Sequence, residues 1–156
     1  NIESSYQLEE VIKFATYPPE GQRGVGFSSS NDFGKNFETY KKYFSSPIII
    51  AMIESEKGID ELEEIVKLRG LNGILIGPYD LSASLKITGK FDHPKFKARV
   101  NQIIKICKKN KITIGCHNVN QNKQSLITLI KKGFTFIPYG IDSIFLQNTH
   151  PFKKKY

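Results

Sequence analysis

Two apolar runs of strand length, each followed closely by a carboxylate, dominate the middle of this 156-residue chain. The first run covers residues 48–53 and precedes Glu54, and the second covers residues 71–76 and leads to Asp80. Continuous apolar runs are typical of parallel strands that helices cover on both faces. Between the two runs, residues 56–68 carry apolar side chains at helical spacing. The pattern predicts a strand–helix–strand unit whose two strands are parallel neighbours with a right-handed crossover.

Glu54 and Asp80 are therefore expected at the same edge of the sheet. The carboxyl ends of parallel strands share one edge, and α/β folds place their chemistry there. Two carboxylates at that edge can hold a hard divalent cation through oxygen ligands. The alternative is that Glu54 caps the helix that follows it and Asp80 opens the next one, because acids often cap helices. The matched positions of the two carboxylates favour a metal site.

The rest of the chain continues the alternation of strands and helices. Helical spacing begins at residues 3–14, with Ser4 or Ser5 as a possible N-cap. Later segments predict helices at 37–44, from Pro94 to about 107, at 124–130 and from 141, and strands at 112–116 and 134–140. The prediction is an α/β fold with about four parallel strands, each followed by a helix. The length suits one domain with a real core.

Composition excludes several classes of function. The net charge is +8, but of 23 basic residues only Arg23, Arg69 and Arg99 are arginines. Guanidinium groups read bases and clamp phosphates, so an excess of lysine predicts a solvated surface and no specific nucleic-acid partner. No apolar run approaches the ~18 residues of a membrane span, and no signal peptide is visible. Cys107 and Cys116 form no paired motif, which indicates reduced core cysteines of a cytoplasmic protein.

Three motifs in order resemble one family. Residues 76–85, Ile-Gly-Pro-Tyr-Asp-Leu-Ser-Ala-Ser-Leu, are followed by Gly89 and by Asp-His-Pro at residues 92–94. Residues 17–26 read Tyr-Pro-Pro-Glu-Gly-Gln-Arg-Gly-Val-Gly, and residues 52–54 read Met-Ile-Glu. These motifs resemble the HpcH/HpaI aldolase family, the metal-dependent class II pyruvate aldolases of the citrate lyase β-subunit and phosphoenolpyruvate/pyruvate barrel superfamily. The resemblance covers nearly all of residues 1–148.

The resemblance implies a partial (β/α)₈ TIM barrel. A whole barrel needs about 250 residues, and this chain begins at Asn1 without an initiator methionine. The expectation is that residues 1–148 form roughly the second half of the barrel, its C-terminal portion. Residues 149–156 are expected to be a frayed basic tail. Exposed sheet edges then predict a homo-oligomer or pairing with the missing N-terminal half.

The resemblance also implies a reaction. Such enzymes reversibly cleave a 4-hydroxy-2-oxo acid to pyruvate and an aldehyde, using a divalent cation such as Mg²⁺, Mn²⁺ or Co²⁺. Glu54 and Asp80 would be the metal ligands. Gly77, Pro78 and Tyr79 would bind substrate, since backbone N–H groups at a helix start receive carboxylates. Arg23 would lie in a loop over the mouth of the active site. The alternative is that Arg23 is a structural anchor in an ordinary Gly/Pro turn.

Two departures from the family pattern leave alternatives open. Met52 occupies the place of a glutamine that contacts pyruvate in many relatives, and methionine cannot donate that hydrogen bond. The family's catalytic histidine and pyruvate-binding arginine have no counterpart here. His117, at a predicted strand end, is a candidate replacement base, or a rim histidine that bonds locally. The alternatives are a non-catalytic remnant, a subunit that needs a partner chain, or a CoA-ester lyase of the same superfamily.

Overall fold

The computed structural model describes residues 1–43, 46–119 and 122–149. Its sheet has three parallel strands in the order β1-β2-β3: Ile49–Ile53, Leu71–Ile76 and Thr113–Cys116. The helices are α1 (Ser5–Ala15), α2 (Phe37–Tyr43), α3 (Glu56–Asp60), α4 (Leu62–Ile65), α5 (Pro78–Ser84), α6 (Pro94–Lys109), α7 (Lys123–Lys132) and α8 (Asp142–Thr149), with a 3₁₀ helix at Ser29–Gly34. The predicted α/β class with parallel strands is confirmed.

One face of the sheet carries the core. Side chains alternate along a strand, so Ala51 and Ile53 of β1 point to the same face as Ile74 and Ile76, their hydrogen-bonded neighbours on β2. All four are buried, and helices α1, α4 and α6 pack in the same core. The helical residues that complete it are fully buried apolar side chains: Leu8, Ile59, Leu62, Ile65, Ile103 and Cys107. The free energy gained by burying these apolar side chains determines which face of each strand packs against the helices.

The opposite face of the sheet is more open. Met52 of β1 is 36% exposed there, and Ile50 and Leu75 are only half-buried. Gly115 lies in the same row, because Met52 pairs with Leu75 and Leu75 pairs with Gly115. A Cβ atom on Gly115 would lie 2.5 Å from the Phe136 carbonyl oxygen, so this position requires glycine.

The predicted fourth strand, residues 134–140, is the main correction. The segment runs parallel to β3 but forms only isolated bridges, Gly115 with Phe136 and Asn118 with Tyr139. Its amides at Phe136 and Gly140 donate to the carbonyls of Ile114 and Asn118 at 3.4 and 2.8 Å. The bond between them would need an N–H at position 138, and proline has none. Pro138 therefore interrupts the ladder that the apolar pattern predicts.

The helices differ from the sequence prediction mainly in where they begin and end. Residues 56–68 form two short helices, α3 and α4, which still bury the predicted apolar side chains. Helix α5 begins at Pro78, because proline is preorganised for a first helical turn. Ser4 is confirmed as the N-cap of α1, its side chain accepting from the Gln7 amide. Residue 44 of the predicted 37–44 helix lies outside the described residues.

The predicted basic tail falls almost entirely outside the described part of the chain. Helix α8 ends at Thr149, and residues 150–156 are not described. Among the described residues, none of the helices combines the length and the apolar character that crossing a membrane would require.

The core analysis predicts the cost of one truncation. Ile103 of α6 is 0% exposed and belongs to the core cluster against the sheet, so Ile103→Ala should lower the free energy of unfolding by about 2–5 kcal/mol. Chemical denaturation followed by circular dichroism measures this. Asn101→Ala, on the exposed side of the same helix, is the matched control and should change the free energy by less than about 0.5 kcal/mol. Equal effects of the two variants would contradict the assigned core.

Candidate functional site

The carboxyl-terminal edge of the sheet gathers three predicted residues into one row. Ile53, Ile76 and Cys116 are neighbours across the three strands, and the next residues along are Glu54, Gly77 and His117. Backbone bonds extend the pairing to this row, since Gly77 N donates to Ile53 O and His117 N donates to Ile76 O, both at 3.3 Å. By alternation, Glu54 and His117 then lie on the open face of the sheet, on either side of Gly77.

The Glu54 carboxylate lies over the backbone of Gly77. A Cβ atom added to Gly77 would be 2.5 Å from Glu54 Oε2 and 3.0 Å from Glu54 Cβ. Only glycine leaves room for the carboxylate in this place. The Glu54 side chain is 18% exposed, so a cation can reach its carboxylate at the sheet edge.

Asp80 is carried by the next segment of the chain. It lies in the first turn of α5 and is exposed. Within the described residues its carboxylate forms no ion pair or hydrogen bond, so its oxygens are open to an added ligand.

Two serines near the carboxyl end of α5, Ser82 and Ser84, fix this helix to its surroundings. The Glu56 amide donates to Ser84 Oγ at 2.8 Å, which joins the loop after Glu54 to the helix that carries Asp80. Ser82 is fully buried; its hydroxyl donates to the Tyr79 carbonyl at 2.7 Å and accepts from the Gly89 amide at 2.9 Å. Sequence reasoning quoted both serines in the motif without assigning them a role. These bonds position the two carboxylate-bearing segments relative to each other.

The donor set at this edge is compatible with a hard cation. Two carboxylates supply oxygen ligands, and the absence of a side chain at Gly77 leaves room for one of them, that of Glu54. Within the described residues there is no group of three or more His, Cys, Asp and Glu side chains that could hold a metal ion. The two cysteines do not supply a ligand either, because burial raises the pKa of Cys107 to about 12 and that of Cys116 to about 11.

The sequence of the chain also matches a known protein family. A sequence profile described as HpcH/HpaI aldolase/citrate lyase matches residues 1–149. The chain belongs to this family.

Individual relatives of the HpcH/HpaI family agree with the match. A hydroxypyruvate/pyruvate aldolase of Roseobacter denitrificans is 28% identical over 150 residues, 95% of this chain and 58% of that protein. A 5-keto-4-deoxy-D-glucarate aldolase of Klebsiella pneumoniae is 34% identical over 113 residues, 70% of this chain and 43% of that protein. The chain thus spans about half the length of these aldolases.

A solved HpcH/HpaI aldolase has the same fold as the described chain. The crystal structure of the aldolase from Desulfitobacterium hafniense superposes with a TM-score of 0.83 at 25% identity, covering 95% of this chain and 57% of that one. The resemblance to the aldolase family is therefore confirmed, and homologues of this chain are carbon–carbon lyases.

Of the other predicted site residues, the structure brings Met52 to the same face as Glu54. Met52 lies two residues before Glu54 on β1 and is 36% exposed, so it can form an apolar floor beside the carboxylate. Pro78 and Tyr79 open α5, and Tyr79 is 45% exposed. Its ring packs edge-on against Phe91, with 5.0 Å between centroids, which holds it beside Asp80.

His117 is tethered to the segment after β3. Its Nε2 lies 3.2 Å from the Gly140 carbonyl oxygen. A carbonyl can only accept, so Nε2 carries the hydrogen in this contact, and in the neutral ring Nδ1 keeps a lone pair. His117 therefore bonds locally and keeps one nitrogen able to accept a proton.

Arg23 is not brought to Glu54. Helix α1 runs from the carboxyl edge of the sheet, where Ile2 N donates to Met52 O at 2.9 Å, to the amino edge, where Ile12 packs against Gly70. The Arg23 amide donates to Thr16 O at 2.9 Å, beyond that end of α1. The guanidinium stacks on the Tyr17 ring at 4.7 Å. From the amino end of β1 to Glu54 is about 16 Å, so the arrangement supports the structural-anchor interpretation of Arg23.

The space that Gly77 leaves for the Glu54 carboxylate leads to a prediction. Gly77→Ala should push the Glu54 carboxylate aside and weaken binding of Mn²⁺, the test cation for the predicted site, by at least about tenfold. Calorimetric titration of the purified protein measures the affinity. Gly24→Ala is the matched control, because nothing lies within 4 Å of a Cβ added there. Unchanged Mn²⁺ affinity in Gly77→Ala would show that this placement of Glu54 does not matter for a cation.

Proposed function

We propose that this protein carries the metal-binding half of a class II pyruvate aldolase. The reaction is the reversible cleavage of a 4-hydroxy-2-oxo acid to pyruvate and an aldehyde. The single observation that carries the proposal is the Glu54 carboxylate, seated over Gly77 at the carboxyl edge of the sheet and joined through the Glu56–Ser84 bond to the helix of Asp80. Membership of an aldolase family supports the reaction class.

Glu54 and Asp80 are the protein ligands in this proposal. When bound, a divalent cation such as Mg²⁺, Mn²⁺ or Co²⁺ polarises the carbonyl of pyruvate and stabilises charge on its oxygen. The protein supplies the rest. Gly77, Pro78 and Tyr79 form a rigid turn beside Asp80 that lines the substrate position, with Met52 as an apolar floor. Because methionine cannot donate a hydrogen bond, recognition of pyruvate depends on the other groups.

His117 is the candidate proton acceptor. It lies on the open face next to Gly77, two positions along the row from Glu54. The bond from Nε2 to the Gly140 carbonyl orients the ring and leaves Nδ1 available. A positioned base typically contributes about 10²–10⁴-fold to such a proton transfer, so His117 can be tested separately from the metal ligands.

The open face of the sheet supports a second part of the proposal. Residues 1–148 act as the C-terminal portion of a barrel, and further strands cover Ile50, Met52 and Leu75 in the working protein. Two observations favour this: these apolar side chains remain partly exposed, and the chain spans about half of its relatives. The covering strands come from a second copy or from an N-terminal half.

The metal site is tested by two readouts. Glu54→Gln and Asp80→Asn should each weaken Mn²⁺ binding at least about tenfold and abolish Mn²⁺-dependent exchange of the pyruvate methyl protons with solvent, followed by NMR. Glu61→Gln removes the same charge from an exposed position and should alter neither. Retained binding in both site variants would refute the metal assignment.

The base is tested in the same assay. His117→Gln should leave Mn²⁺ affinity unchanged and lower proton exchange by about 10²-fold or more. If the wild-type chain binds Mn²⁺ but exchanges no pyruvate protons, the metal assignment is supported and catalysis by this chain alone is refuted.

The assembly proposal predicts that the isolated chain is not a monomer. An apolar sheet face and unpaired strand edges template association, so sedimentation equilibrium should give a mass of two or more copies. Met52→Lys, which puts a charge on the open face, should shift the mass toward one copy, and Lys57→Glu on an exposed helix surface should not. A stable wild-type monomer would contradict the proposal.

A further inference from the structure

A cavity of about 420 Å³ lies beyond the carboxyl end of β3, where α6 and α7 both contribute to its wall. Cys116 and Asn118, at the end of β3, contribute to its lining. Most of its wall is apolar: Phe91, Phe96, Val100, Leu129 and Phe134. The volume falls at the small end of the range for small-molecule sites, roughly 300–1,000 Å³.

Asn118 is a buried polar group in this cavity with an unsatisfied atom. It is 6% exposed, and its Nδ2 has no hydrogen-bond partner among the described residues. Its Oδ1 lies 3.0 Å from Ser125 Oγ, which also lies 2.7 Å from the Asn122 carbonyl oxygen. The single hydroxyl hydrogen can serve only one of them, so one polar atom of the Asn118 amide stays unpaired in either orientation. An unpaired buried polar group costs about 1–3 kcal/mol, which a ligand could offset.

The charge at the cavity mouth is positive. Asp92 pairs with Lys97 at 2.9 Å, and Lys132 also acts on this carboxylate, helping Lys97 to lower the pKa of Asp92. Lys132 lines the cavity, and within the described residues its ammonium has no ion pair. Two ammonium groups thus face one carboxylate. Lys132 and Asn118 both line the cavity, so one bound anion can be placed between an ammonium group and an amide with an unpaired atom.

We propose that this cavity binds a small carboxylate with an apolar body. The carboxylate accepts from the Asn118 amide and pairs with the Lys132 ammonium. The apolar body packs against Phe96, Val100 and Leu129. The cavity adjoins the candidate site, since Pro78, Tyr79 and His117 also line it. The inference does not rest on the proposed aldolase reaction, because neither metal ligand of that proposal, Glu54 or Asp80, lines the cavity.

Binding of phenylacetate to the purified protein tests this site. Calorimetry or saturation-transfer NMR should show saturable binding, weaker binding of the neutral phenylacetamide, and none of acetate. Lys132→Gln should lower the affinity for phenylacetate about two- to fivefold. Lys131→Gln, one residue away and outside the cavity lining, should leave the affinity unchanged.

Filling the cavity completes the test. Thr128 lines the cavity and is exposed, so Thr128→Trp should abolish binding without unfolding the protein; Val100→Phe is a second filling variant should the first not fold. Absence of saturable phenylacetate binding would overturn the proposal. Equal affinity for phenylacetamide would refute the carboxylate assignment, and binding that survives in a folded filling variant would place the ligand elsewhere.

Discussion

The candidate site depends on the pairing register of the three parallel strands. Ile53, Ile76 and Cys116 are neighbours across the sheet and are buried on its helix side. A one-residue slip would turn every side chain of a strand to the other face and expose these apolar groups. The core that opposes such a slip also determines that Glu54 lies beside Gly77. Stability and placement of the carboxylate therefore have the same physical origin.

Sequence reasoning succeeded where a local pattern determines the structure. The apolar runs at residues 48–53 and 71–76 indicate parallel strands, and carboxylates that follow parallel neighbours must reach one edge. The prediction of a fourth strand at residues 134–140 was wrong because the apolar pattern does not show that one backbone donor is missing. Pro138 has no N–H and interrupts a hydrogen-bond ladder that the residues on either side of it support. A pattern of side chains cannot register a single absent amide hydrogen unless the backbone bonds are counted one by one.

Arg23 shows a different limit. Its motif places glycines and a cation together, which is typical of a ligand-binding loop. The structure places the loop after α1 at the amino edge of the sheet, beyond the end of the helix that packs against Gly70. Because no strand is predicted before α1, the pattern does not indicate at which edge this loop lies. The burial of Asn118 was not predictable either, because it depends on how α7 packs beside β3.

The two serines of the Asp-Leu-Ser-Ala-Ser stretch have a consequence for how this motif is interpreted in other chains. Within the part of the chain that the structure describes, Ser82 and Ser84 bond only to backbone groups, so they serve the architecture of the turn. In the same part of the chain, Asp80 is the residue of this stretch whose side-chain oxygens have no partner. A chain could lose Asp80, keep the rest of the stretch, and still fold in the same way. The motif as a whole therefore indicates a shape, and Asp80 is the residue of the Asp-Leu-Ser-Ala-Ser stretch to which the proposed function gives a chemical role.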